Sequence, residues 1–136
     1  MATNQQIIDS ALSKLGVIEA GETANATDSA TTLGVLNAML HEWKYRDMDF
    51  NWFTQDTLSD TAPIPEWALE GVRSNLAVRA ASDFRAQVPP ALLSEATEGR
   101  RTIGNTLINL NLDNVDMSHL PLGSGRFSRY NIDTDS

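Results

Sequence analysis

The apolar residues of this chain recur every three or four positions in four separate runs, with glycines or prolines between the runs. That period matches the 3.6-residue turn of an α-helix and not the two-residue alternation of a strand, which constrains the chain to an all-α fold. Ile7, Ile8, Ala11, Leu12 and Leu15 predict a first helix from about Asn4 to Leu15. Thr3 stands at its N-cap and Gly16 at the left-handed position that ends a helix. Leu33, Leu36, Leu40 and Trp43, with Met39 beside them, predict a second helix over about 28–45, capped by Asp28 or Thr27. Gly34 inside it costs up to about 1 kcal/mol against alanine. Either another backbone approaches there or the helix carries a weak spot.

Val72, Leu76, Ala80 and Phe84 form the third run. The helix it predicts starts near Pro65, which suits a first turn, and ends at Pro89-Pro90. Its small residues Ala77, Ala80 and Ala81 predict a closely packed neighbour. Leu92, Leu93, Ala96, Ile103 and Leu107 predict a fourth helix to about Asn109. Residues 1–110 thus read as one four-helix, bundle-like core, in keeping with a length of 136 residues.

Two segments break the period. Residues 46–64 place Phe50, Trp52, Phe53 and Leu58 among Asp47, Asp49, Asp56 and Asp60. They read as a long aromatic loop, an extended excursion with a short hairpin as its other form, covering the core edge or offering a contact surface. Residues 111–136 have no helical face and read as an extended C-terminal tail. Its 26 residues reach about 85 Å when extended. The tail carries Leu120, Leu122, Phe127, Tyr130 and Ile132, unusual for a solvated tail, and places Arg126, Arg129 and Tyr130, types favoured at interface hot spots, in one short stretch.

The net charge is −8, and it is uneven. Residues 1–66 hold ten acids and three bases; residues 67–136 hold eight and seven. Phosphate binding needs clustered Lys and Arg, so the chain is poorly suited to gripping nucleic acid, although an acidic surface suits a wall along which DNA slides. No apolar run approaches the roughly 18 residues of a membrane span. The opening Met1–Gln6 has neither a basic nor an apolar stretch, which predicts no secretory signal.

Little chemistry is legible. The chain has no cysteine and two histidines, which excludes thiol nucleophiles and His-rich metal sites. His41-Glu42 opens like a zinc-protease motif, but Tyr45 stands where the second histidine belongs. His119 reads as a surface histidine. Gly123-Ser124-Gly125 is a flexible joint rather than a nucleophile elbow. On the third helix Glu70 is expected to pair with Arg73, and Arg79 with Asp83. No catalytic residue and no cofactor is expected. The enzymatic alternative is a carboxylate-dependent peptidoglycan hydrolase using Glu42 with Asp47 or Asp49, flanked by Trp43, Tyr45, Phe50 and Trp52. A third reading is a small regulatory protein whose tail captures a different partner.

The order of four segments resembles one family. They are Ala11-Leu12-Ser13-Lys14-Leu15-Gly16-Val17, Leu36-Asn37-Ala38-Met39-Leu40-His41-Glu42-Trp43, Leu69-Glu70-Gly71-Val72-Arg73-Ser74-Asn75-Leu76-Ala77, and Leu120-Pro121-Leu122-Gly123-Ser124-Gly125. Together they look like the head-to-tail adaptors of short-tailed phages, also called head-completion or packaged-DNA stabilisation proteins. The likeness spans most of the chain and is least at 46–64 and after Arg126. It implies a helical virion protein, made in the host cytoplasm, that sits at the capsid portal vertex. It also implies a homo-oligomeric ring, usually twelve-fold, joining the portal protein to the tail nozzle protein and helping retain packaged DNA, which passes through the lumen without specific binding. Carried over to this chain, the portal-interaction segment is Leu120, Pro121, Leu122, Gly123, Ser124, Gly125, Arg126, Phe127, Arg129 and Tyr130, with Gly123 and Gly125 as hinge. The acidic excess would partly face the lumen.

Overall fold

The structure, a computed structural model, describes residues 2–113 and the side chains of residues 2–110. It is all-α, with helices α1 (Asn4–Lys14), α2 (Ala26–Tyr45), α3 (Leu69–Ala80) and α4 (Pro90–Asp113). A 3-10 turn, Glu66–Ala68, leads into α3. Among the described residues no helix is long and apolar enough to cross a membrane.

α1 forms as its pattern predicts. Ile7, Ile8, Ala11 and Leu12 are fully buried. The Thr3 hydroxyl accepts from the Gln6 amide while the Gln6 side chain accepts from the Thr3 amide, a capping box. At the other end Gly16 takes φ +77°, and the Val17 amide reaches back to the Leu12 carbonyl at 3.0 Å.

α2 begins two residues earlier than expected, and its cap is neither Asp28 nor Thr27. The Asn25 side chain accepts from the Asp28 amide at 2.8 Å, and Asp28 becomes a first-turn acid. The first turn was hidden because its core face is polar: Ser29 and Thr32 are buried. Their hydroxyls donate to the Ala24 and Asp28 carbonyls, which spares them an unpaired group. Gly34 faces open space, since a Cβ built there meets nothing within 4 Å. No backbone approaches it, so Gly34→Ala is expected to raise stability by about 0.5–1 kcal/mol, read from the urea midpoint.

α3 is the hub, packed against α4, α1 and α2. Leu69, Gly71, Val72, Ser74, Leu76, Ala77 and Ala80 are all buried, so the helix is covered almost all round. Its regular part stops at Ala80, short of the predicted Pro89-Pro90. One irregular turn follows, closed where Arg85 takes φ +52° and the Ala86 amide bonds the Ala81 carbonyl at 2.9 Å. Phe84 still packs against the core from that turn. The close neighbour expected at the alanines is α4, but the tightest point is a glycine pair. A Cβ on Gly99 would lie 2.7 Å from the Gly71 Cα. Asn75 clamps the crossing, its Nδ2 donating to the carbonyls of Gly71 and Ala96, both at 2.8 Å.

Residues 46–65 form no hairpin. They run as an irregular segment with turns at 46–47 and 58–59, and residues 58–62 pair instead with the start of α1, with one antiparallel bridge, Thr3 to Thr61. The Asn4 and Gln5 amides, unpaired donors of the first helical turn, donate to the carbonyls of Asp60 and Leu58. Ala2 and Ala62 add a third bond at 3.0 Å. Trp52, Ala62 and Ile64 close the core beneath this segment. α4 reaches past the predicted Asn109 to Asp113, so its end overlaps the first three residues of the expected tail.

Candidate functional site

The predicted portal-interaction residues, Leu120 to Tyr130, lie outside the described residues, as do His119 and the Gly123–Gly125 joint. The described part shows what carries them. α4 has 24 residues against 12 in α3, roughly 36 Å against 18 Å of helix. Leu92, Ala96 and Ile103 seat its first four turns. Beyond them Leu107 still packs against the core, while Ile108 and Leu110 are largely exposed.

Of the acids considered for hydrolysis, Glu42 and Asp49 have structural partners. Glu42 accepts from Arg79 at 2.5 Å, with Arg46 one turn on at 3.4 Å. The hydrogen bond and charge of Arg79, with help from Arg46 and Arg100, hold its carboxyl below the usual range, opposite to what a general acid requires. Arg79 therefore ties α3 to α2 and does not take the expected partner Asp83, which lies past the end of α3. Asp47, at φ +62°, closes α2. The Asp49 carboxylate accepts from the amides of Asn51 and Trp52 at 2.7 and 3.3 Å.

The expected Glu70–Arg73 pair forms at 3.7 Å, but the closer partner of Glu70 is Lys14 at 2.5 Å, which lowers the Glu70 pKa and links α1 to α3. Because the folded pKa values of Glu42 and Glu70 lie below the ordinary glutamate range, these pairs stabilise fully above that range and lose their effect as pH falls through the folded values. Glu42→Gln is expected to lower the urea midpoint modestly at pH 7 and to leave it close to the parent's once the carboxyl protonates in acid, so that its decline with falling pH is shallower.

The aromatic residues divide. Trp43 and Trp52 are core. Phe50 meets Trp67 edge-on, with ring centroids 6.0 Å apart. Tyr45 and Phe53 point outward, 93% and 62% exposed. The loop thus covers the core edge with the Trp52 indole and leaves the Phe53 ring exposed. His41 Nε2 lies 3.0 Å from the Thr54 hydroxyl. Among the described residues no cluster of three or more His, Cys, Asp or Glu is placed to hold a metal.

Two surface depressions stand out. One, of about 670 Å³, lies between α1, the 20–23 turn and α3. Several of its charges pair locally: Asp9 accepts from Gln5 and from the Ala24 amide, and Lys14 meets Glu70. The other, of about 630 Å³, runs along α4 between α3 and the end of α2, and arginines and apolar side chains line it. The periodicity of α4 gave no sign of it, because it requires the α2 end to lie against α4. Compared with models of known protein families and with curated proteins, the chain matches none.

Proposed function

We propose that the chain is a structural, ring-forming adaptor that joins a phage portal to the tail nozzle, its tail clasping portal subunits. What supports this is the pairing of a tied-down helical core with a long α4 that ends ahead of the apolar, Arg- and Tyr-bearing stretch Leu120–Tyr130. The resembling segments have physical roles in that core: Leu12 and Trp43 fill it, Gly16 ends α1, Glu42 links α2 to α3, and Gly71 admits α4. Ordering a tail costs about 1–2 kcal/mol per residue, so one tail binds weakly; a ring of tails binds as one multivalent object. The acidic half of the chain suits a lumen wall that repels a phosphate backbone.

The test is to mix the chain with a portal ring, with and without residues 117–136, and image the product. The full chain is expected to add a ring of density beneath the portal and the shortened chain none. Equal decoration by both would move the docking function out of the tail.

A further inference from the structure

We propose that the groove along α4 holds the acidic closing stretch of the chain's own tail, Ile132 to Asp135. The inference stands apart from the adaptor reading, because it concerns the isolated chain. Leu93, Thr97, Arg101, Gly104 and Ile108 succeed one another by three or four residues, so they form one stripe on α4 roughly 22 Å long. Leu93 and Ile108 leave apolar surface open at its two ends, 52% and 55% exposed, and Met48 lies against Gly104 between them.

Three guanidinium groups, Arg46, Arg100 and Arg101, line the groove against one carboxylate, Asp47. Glu42 stands 3.4 Å from Arg46 and Glu98 stands 3.8 Å from Arg101. A guanidinium has five N–H groups, so each retains donors for a further carboxylate. The occupant that fits is a short extended segment bringing carboxylates beside an apolar side chain.

The tail is segregated in a way that supplies one. Residues 120–130 hold two arginines and no acid; residues 131–136 hold Asp133, Asp135 and Ile132 and no base. Reach selects between this stretch and the other acids. Asp116 is three residues past the end of α4, a span of about 10 Å, while Arg101 lies twelve residues back along the helix, about 18 Å. Ile132 is nineteen residues past the same point, with about 63 Å of chain, and the far end of the groove at Leu93 is about 30 Å away. Exposed ion pairs are individually weak, but tethering supplies an effective concentration in the millimolar range, so docking is partial, intramolecular and salt-sensitive.

The experiment uses the full chain, whose lack of cysteine allows a single nitroxide at Ser136→Cys. The Leu93 and Ile108 methyl signals are expected to broaden in low salt, while those of buried Ile7 and Leu12 stay sharp. The broadening should fall severalfold in 0.5 M NaCl and with Arg100→Glu/Arg101→Glu. Adding Asp133→Lys/Asp135→Lys to that variant should restore it. Sharp Leu93 and Ile108 signals in low salt would overturn the proposal. So would broadening that survives Asp133→Asn/Asp135→Asn, or broadening that appears only when spin-labelled and isotope-labelled chains are mixed, which would place a neighbour's tail in the groove.

Discussion

Gly99→Ala is expected to destabilise the protein by about 2–3 kcal/mol, a fall of about 10 °C in Tm. The added methyl group would sit 2.7 Å from the Gly71 Cα, and backbone cannot rotate aside as a side chain can. The helices must separate, and Asn75, whose Nδ2 bonds a carbonyl on each, must lose one of them. Alanine gains up to about 1 kcal/mol of helix propensity, which offsets part of the loss. Gly71→Ala should cost less. Its shortest contact, also 2.7 Å, is with Ile103 Cδ1, the far end of a flexible side chain, and the Gly99 carbonyl stands at 3.1 Å. Thermal and urea unfolding of both variants checks the order. A Gly99→Ala chain as stable as the parent would show that the crossing has room.

Asn37→Ala is expected to cost about 2–4 kcal/mol and to free the aromatic loop. The Asn37 side chain imitates the edge of a strand: its Oδ1 accepts from the Gln55 amide and its Nδ2 donates to the Gln55 carbonyl, both at 2.9 Å. Removing it leaves two backbone groups of a buried residue unpaired. Hydrogen exchange of amides 52–58 should accelerate well beyond what the global loss of stability explains. Gln55→Ala is the informative contrast. It keeps both backbone bonds and gives up only the side-chain contacts with Asn4 and the Phe53 carbonyl, so its effect should be smaller. Equal exchange rates in the parent and the Asn37→Ala chain would show that the loop is held by Trp52 and Ile64 burial alone.

These residues also mark where the sequence could be read and where it could not. α1 was legible to its caps because its stripe, capping threonine and closing glycine are all local signals. The start of α2 was not, because Ser29 and Thr32 put hydroxyls on the core face, and such hydroxyls are invisible to an apolar period. The end of α3 was overestimated because Phe84 keeps step with the stripe while Arg85 turns left-handed, which no side-chain pattern announces. Long-range partners were hardest. Glu42 and Arg79 are 37 residues apart, and only the packing of α2 on α3 brings them together. The Gly71–Gly99 contact was missed for the same reason, although two glycines in adjoining helices were in view. Of the candidate site, the tail was marked by its own composition, whereas the groove arises from three elements meeting.

The junction between the amino end of α1 and residues 58–62 has a consequence for the order of assembly. Its bonds, from the amides of Gln5, Asn4 and Ala62 to the carbonyls of Leu58, Asp60 and Ala2, join positions more than fifty residues apart, so their formation closes a large loop before any reward arrives. The amino terminus and the stretch before Pro63 should therefore behave as one cooperative unit, late to form and first to open, while the α3–α4 pair, joined by a short connection, supplies the early nucleus.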